Sequence, residues 1–101
     1  MNAGLKITFL GTGAAGGVPL SGCRCLACAR AERAPRYRRE PCSALVETGE
    51  TLVLIDAGLM DLHRHFTPGE LDAILLTHFH PDYVQGLLHL RWGRGSGPVI
   101  A

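Results

Sequence analysis

The segment from Thr77 to Tyr83 constrains this chain most, because it places two histidines and a carboxylate within five positions of a strand-like run. The run before it, Ala73-Ile74-Leu75-Leu76, has the apolar character of a buried strand. Side chains two positions apart on a strand point to the same face, so His78 and His80 are predicted to aim at one point in space. Asp82 then stands where the next helix is predicted to begin.

Two imidazoles and a carboxylate at a turn form a typical ligand set for a divalent metal of borderline softness, such as zinc or manganese. The alternative is a histidine-rich surface turn in which Asp82 only caps the following helix. Functional residues gather in loops at strand ends, which favours the metal. The sequence therefore predicts a metal site formed by His78, His80 and Asp82.

A second group of potential ligands consists of Cys23, Cys25 and Cys28. Thiolates separated by one and two residues can surround a single tetrahedral zinc ion from one compact turn. Three ligands leave a fourth position open, for which Cys42 or a water molecule is a candidate within this chain. The alternative is a set of small, partly buried thiols. The spacing favours a structural zinc site.

These motifs resemble the metallo-β-lactamase superfamily, whose metal-binding signature reads His-x-His-x-Asp-His. The chain is also similar to the phosphoribosyl cyclic phosphate phosphodiesterases of the carbon–phosphorus lyase pathway. The further segments shared with that family are Gly11-Thr12-Gly13, Tyr37-Arg38-Arg39-x-Pro41-Cys42-Ser43, Val84-Gln85-Gly86-Leu87 and Leu90-Arg91-Trp92-Gly93. The resemblance covers nearly all of this chain but only the N-terminal part of the family. One position departs from the signature, because Tyr83 stands where the family carries a histidine.

The resemblance implies an α/β fold, the αββα sandwich of the metallo-β-lactamases, with residues 1–101 as one incomplete domain forming roughly its N-terminal half. It implies hydrolysis of a cyclic phosphate on a phosphorylated ribose in phosphonate catabolism. His78 and His80 would hold the first metal, manganese or zinc, while Asp82 would bind the second and act as the catalytic residue that orients the nucleophile. Asp56 would support the metal loop through hydrogen bonds, with a plain turn former as the alternative. A histidine late in the family's sequence would complete the zinc site of the cysteines.

Two functions stay open at this point. One is the metal-dependent phosphodiesterase, and the other is a non-catalytic zinc-binding or vestigial module anchored by the cysteines. Tyr83 favours the second, because a phenol is a poorer metal ligand than an imidazole at neutral pH. We expect these 101 residues alone to show little or no turnover.

The composition suits one small domain, since 47% of the residues are apolar. The apolar run Ile7-Thr8-Phe9-Leu10 is short and is interrupted at Gly11, so a first strand rather than a signal peptide is predicted, and a cytoplasmic protein is expected. The formal charge of +1 gives no indication of a nucleic-acid partner, and no apolar run is long enough to predict a membrane partner. The expected partner is a small phosphorylated sugar. The arginine-rich residues 30–41 are predicted to form a solvated loop, with phosphate or RNA binding as the alternative. Half a sheet would leave an unpaired edge, so self-association or a homodimer is also expected.

The remaining elements follow from hydrophobic periodicity and turn residues. The glycine run 11–16 fits the spacing of dinucleotide sites, but no helix is predicted to open on it, so a tight turn beside the site is expected. A helix after the motif is expected to pack Val84, Leu87 and Leu88 inward, with Trp92 beneath it. The other predicted elements are strands at Leu5–Leu10, Ser43–Glu47 and Thr51–Ile55, a helix at Leu59–Phe66 and a strand beginning at Val99.

Overall fold

The structure is a computed structural model that describes residues 4–67, 69–77, 79–90 and 97–101, with the backbone alone described for Asp82 and His89. Within these ranges, five strands form one mixed sheet whose spatial order is the chain order. The strands are β1 (Lys6–Gly11), β2 (Ser43–Thr48), β3 (Thr51–Ile55), β4 (Ala73–Leu75) and β5 (Val99–Ile100). The first three strands pair antiparallel, whereas β4 and β5 join in parallel.

Short helices connect the strands, which confirms the predicted α/β class. The helices are α1 (Leu26–Arg33), α2 (Leu62–His65), α3 (Pro81–Val84) and α4 (Leu87–Leu90), and a 3-10 turn spans Pro35–Tyr37. The strands predicted at Ser43–Glu47 and Thr51–Ile55 are confirmed, and they form a hairpin in which Thr48 pairs with Thr51 around a two-residue turn at residues 49 and 50.

The core lies where the helices cover the central strands. Leu54 of β3 and Ile74 of β4 are fully buried, and Leu59 and Leu62 pack against them. Full burial of each such side chain contributes about 1.5–3 kcal/mol through the hydrophobic effect. The inward face predicted for residues 59–66 is therefore confirmed, although the helix itself is shorter than predicted. It begins at Leu62, with Asp61 at the N-cap position.

The predicted loop over residues 30–41 is wrong in its first part, since α1 continues to Arg33. Cys25 caps this helix by accepting the N–H of Cys28 at its Sγ, 3.4 Å away. At the other end, Arg38 donates from Nε to the carbonyl of Ala31 at 3.0 Å and from Nη2 to that of Glu32 at 3.3 Å. These long side-chain contacts satisfy helix-end carbonyls that the local sequence leaves open.

Two other predictions about packing need correction. Leu88 was expected in the apolar stripe after the motif but is 58% exposed, because α3 and α4 are two separate short helices. Trp92 lies outside the described residues. The strand predicted at Leu5–Leu10 is present as β1, but the face that carries Ile7 and Phe9 is open, with exposed fractions of 54% and 71%.

Candidate functional site

The parallel pairing of β3 and β4 brings their carboxyl ends to the same edge of the sheet. Ile55 is the register partner of Leu75, so Asp56 and the residues after β4 emerge side by side. Functional groups of α/β sheets collect at this edge, because the loops there leave the strands in one direction. The edge therefore carries both the supporting aspartate predicted from the sequence and the start of the histidine motif.

Asp56 forms a buried brace at this edge. Its side chain is 4% exposed, and its Oδ1 accepts the backbone N–H of Thr77 at 2.8 Å. The hydroxyl of Thr77 lies 3.0 Å from Oδ1 and 2.9 Å from Oδ2. The backbone of Asp56 is also hydrogen-bonded. Its N–H donates to the carbonyl of Leu75 at 2.8 Å, and its carbonyl accepts a hydrogen bond from the Ser43 hydroxyl at 2.7 Å. The carboxylate thus fixes the residue that directly precedes His78.

The motif itself leaves the strand earlier than predicted. β4 ends at Leu75, so strand alternation does not set the relation between His78 and His80. The ladder ends because the N–H of Thr77 donates to the Asp56 carboxylate rather than to a neighbouring strand. His80 is exposed and occupies the N-cap of α3, with φ −62° and ψ 145°. His78 lies outside the described residues.

Asp82 lies in the first turn of α3, where the sequence predicted the helix to begin. Its backbone is described and its side chain is not. The roles predicted for His78, His80 and Asp82 as metal ligands, and for Asp82 in catalysis, stay predictions. The donor set of two imidazoles and one carboxylate suits a divalent metal by its chemistry.

The loop after β3 also holds the far end of the motif. The N–H of Ala57 donates to the carbonyl of Tyr83 at 2.7 Å, and the N–H of Gly86 donates back to the carbonyl of Ala57 at 2.7 Å. The side-chain amide of Gln85 donates to the carbonyl of Gly58 at 2.6 Å. The sequence analysis did not predict these contacts of Gln85 and Gly86, although both residues belong to the segment Val84-Gln85-Gly86-Leu87 that carries part of the family resemblance. One loop therefore braces the motif from both sides.

The cysteines form a second, separate cluster. The Sγ atoms of Cys23, Cys25 and Cys28 all lie within 4.8 Å of one another. Thiolates on one tetrahedral zinc are about 3.8 Å apart, given a Zn–S distance of about 2.3 Å. The three sulfurs therefore fit a common zinc ion after small side-chain adjustments. Among the described residues, Cys42 is not a member of this cluster, so the suggestion of Cys42 as the fourth ligand gains no support.

Hydrogen bonds and burial shift the pKa values of Cys25 and Cys28 in opposite directions. The N–H of Cys28, with further hydrogen bonds from the neighbouring thiols, holds the pKa of Cys25 below its usual value. For Cys28, the N–H of Leu20 acts to lower the pKa, but the thiols of Cys23 and Cys25 and burial outweigh it and raise the pKa. The exposed thiol of Cys25 therefore ionises at a lower pH than the buried thiol of Cys28.

A cleft of about 350 Å³ opens between the glycine run and the end of the arginine segment. The glycine run forms the tight turn that the sequence predicted, and no helix begins before Leu26 in the described chain. The N–H of Gly13 donates to the carbonyl of Glu40 at 2.7 Å, which ties the two walls together. Met60 and Gln85 complete the lining on the side of the motif.

Within the part of the chain that the structure describes, no helix is long and apolar enough to cross a membrane.

Comparison with known proteins identifies the class. The sequence profile of the Metallo-beta-lactamase superfamily matches residues 39–91, which include the brace and the motif. This chain belongs to the metallo-beta-lactamase superfamily. Its described part is an α/β portion of the metallo-beta-lactamase fold, as the resemblance implied.

Individual relatives point to several branches of the superfamily. A crystal structure of a diphosphatase from the PhnP family superposes with a TM-score of 0.70 and 35% identity, covering 86% of this chain and 34% of that one. Zn²⁺-bound PqqB from Methylobacterium extorquens also gives a TM-score of 0.70, with 33% identity over 84% of this chain and 36% of that one. Ribonuclease Z of Methanopyrus kandleri is 37% identical over 94 residues, covering 89% of this chain and 27% of that protein.

The curated relatives are much longer than this chain, which spans 18% of the length of one and 35% of the length of others. Two solved neighbours with equal TM-scores carry different names. The comparisons therefore define the superfamily, and they leave the branch open.

Proposed function

We propose that this chain carries the first metal site of a phosphodiesterase that opens a cyclic phosphate on a phosphorylated ribose. The observation that carries the proposal is the Asp56 brace, which holds Thr77 by its N–H and its hydroxyl immediately before His78. A plain turn former would not need a buried carboxylate with bonds to a residue 21 positions away. A diphosphatase and a ribonuclease among the relatives, both named for cleavage at phosphorus, agree with this chemistry.

In this proposal, His78 and His80 hold the first metal, manganese or zinc. A bound divalent metal would lower the pKa of a coordinated water and offset charge on phosphoryl oxygens. Asp82 contributes to a second metal position and orients the nucleophile. Tyr83 weakens that second position, since it replaces the histidine of the signature with a phenol. The chain acts here as a single domain in the cytoplasm, and its substrate is a small phosphorylated sugar.

Metal stoichiometry tests the proposal. Elemental analysis would compare the wild type with a His78→Ala, His80→Ala double variant, and with His65→Ala as the matched control. We expect the wild type and the control to bind one more metal per chain than the double variant, and Tyr83→His to bind further metal. The same single zinc in the wild type and the double variant would refute the proposal.

Activity of the isolated chain is expected to be little or none, because one ligand of the signature is replaced and loss of even supporting residues costs about 10- to 100-fold. Hydrolysis of an aryl phosphodiester by the metal-loaded protein measures this. Robust turnover by these 101 residues would contradict the expectation.

A second candidate function is a non-catalytic zinc-binding module. The converging sulfurs of the cysteine cluster favour it, as does Tyr83 in the signature. Replacing Cys23, Cys25 and Cys28 together with serine should then remove all bound metal. Metal retained in that triple variant and lost in the histidine double variant would exclude this alternative.

A further inference from the structure

We propose that Arg39 binds a phosphate group of the substrate other than the one that reacts, and that the cleft beside it selects phosphorylated sugars. This inference rests on the proposed phosphodiesterase function and adds the residue that recognises the substrate. Arg39 lines the cleft of about 350 Å³ together with the glycine run. That volume falls within the range of about 300–1,000 Å³ typical of small-molecule sites.

The backbone of Arg39 is fixed on the opposite wall of the cleft. Its N–H donates to the carbonyl of Val18 at 2.8 Å, and its own carbonyl accepts the N–H of Val18 at 2.8 Å. The next carbonyl, that of Glu40, accepts the N–H of Gly13. A side chain that leaves such a paired backbone starts from a defined position, so less conformational entropy is lost when it binds an anion.

One hydrogen bond orients the guanidinium of Arg39, and its other N–H donors have no described protein partner. Among the described residues, Nη1 donates to Thr12 Oγ1 at 2.9 Å, and this is its one described side-chain hydrogen bond. A guanidinium carries five N–H donors in a planar fork that matches two phosphate oxygens. Arg39 is exposed and belongs to the lining of the cleft, so the remaining donors are accessible to a ligand.

Arg38 also lines the cleft, but its guanidinium is hydrogen-bonded to the protein backbone. It donates to the carbonyls of Ala31 and Glu32 at the end of α1. Glu40, an acidic residue, belongs to the same lining. A carboxylate repels a phosphate but accepts hydrogen bonds from sugar hydroxyls, so the two charged groups favour a ligand with both features.

The cleft borders the braced motif. Gln85 contributes to the lining, and its amide nitrogen bonds the carbonyl of Gly58, two residues after Asp56. A sugar that presents one phosphate to the motif can therefore direct a second phosphate toward Arg39. A phosphodiester without a second phosphate would not use this contact.

The experiment is an NMR titration of the zinc-loaded chain with ribose 5-phosphate, with ribose as the uncharged comparison. We expect Arg39→Ala to weaken ribose 5-phosphate binding at least tenfold and Arg39→Lys to weaken it less. The matched control is Arg36→Ala, because Arg36 is an exposed arginine that lies over Tyr37 outside the cleft. Thermal unfolding of each variant verifies that the fold is retained.

The same titration on the His78→Ala, His80→Ala double variant separates this inference from the proposed function. Arg39-dependent binding that persists there supports the phosphate site even if the motif binds no metal. Equal affinity of wild type and Arg39→Ala, equal binding of ribose and ribose 5-phosphate, or no binding to the wild type would each overturn it.

Discussion

At the residue scale, the backbone conformation and the buried carboxylate of Asp56 limit which residues can replace it. Its φ of 62° lies in the left-handed region, which favours glycine, asparagine and aspartate, and its carboxylate is buried. Asp56→Ala should lower the free energy of unfolding by about 2–4 kcal/mol, because hydrogen bonds to a charged group are worth about 1.5–3 kcal/mol and strain adds to their loss. Urea denaturation measures this.

The matched variants for that prediction are Asp56→Asn and Asp61→Ala. Asparagine keeps one acceptor and tolerates the backbone, so we expect a smaller loss. Asp61 is exposed and its described partner is His65, at 3.2 Å, so its replacement should change stability by less than about 0.5 kcal/mol. An Asp56→Ala variant as stable as Asp61→Ala would show that the brace contributes nothing to folding.

Thiol reactivity is a second prediction at this scale. The pKa of Cys25 is lowered, so its reactive thiolate appears at a lower pH than that of Cys28, whose pKa is raised. In metal-free protein, iodoacetamide should therefore modify Cys25 first as the pH rises, and zinc should protect both. Mass spectrometry of the alkylated peptides locates the modification. Cys42, exposed and outside the cluster, is the internal control and should react with or without zinc.

At the scale of elements, the short helices depend on hydrogen bonds to neighbouring loops. α2, α3 and α4 have four residues each, too few to be stable alone. The backbone hydrogen bonds of Ala57 with Tyr83 and Gly86 form a clamp between the loop after β3 and the end of α3. Gly86 makes this clamp possible, since a Cβ there would lie 2.8 Å from the carbonyl oxygen of Ala57 and closer still to that of Leu59. Gly86→Ala should thus lower stability by about 1–3 kcal/mol, as overpacking does.

Denaturant unfolding with Gly97→Ala as the control measures the effect of Gly86→Ala. A Cβ at Gly97 meets nothing within 4 Å, so this control changes the residue type without a clash. We expect Gly86→Ala also to reduce metal binding at the histidine motif, because the clamp positions α3. Two glycine variants of equal stability and equal metal content would show that the close approach is unimportant.

Local chemistry explains which elements the sequence could predict. The hairpin follows from alternation around Gly49, and the cysteine cluster follows from spacing within a single turn. The end of β4 could not be predicted, because a carboxylate 21 residues earlier diverts the N–H of Thr77. The cleft depends on pairing between Val18 and Arg39, which no local pattern marks. The helix α1 was missed because its caps use a thiol and a distant arginine.

The whole molecule presents an open apolar face along β1, an edge strand of the described sheet. Ile7 and Phe9 are more than half exposed on this face. Exposed apolar edges promote association, so the expected self-association should involve β1. An Ile7→Thr, Phe9→Thr double variant keeps β-forming residues and should shift the chain toward monomer in sedimentation velocity.

Leu26→Gln is the control for that experiment, because Leu26 is 91% exposed but belongs to α1 and not to the sheet. It should leave the association state unchanged. A wild type that sediments as a monomer, or a β1 variant that associates as strongly as the wild type, would contradict the prediction.

The strand order has a consequence for biosynthesis. Because spatial neighbours in the described sheet are also neighbours in sequence, each new strand adds to the edge of a sheet whose other members have already left the ribosome. No strand has to be inserted between two that are already paired. The brace can form as soon as Thr77 emerges, since Asp56 is already in place on β3. The edge that holds the histidine motif is therefore assembled in the order in which translation delivers its parts.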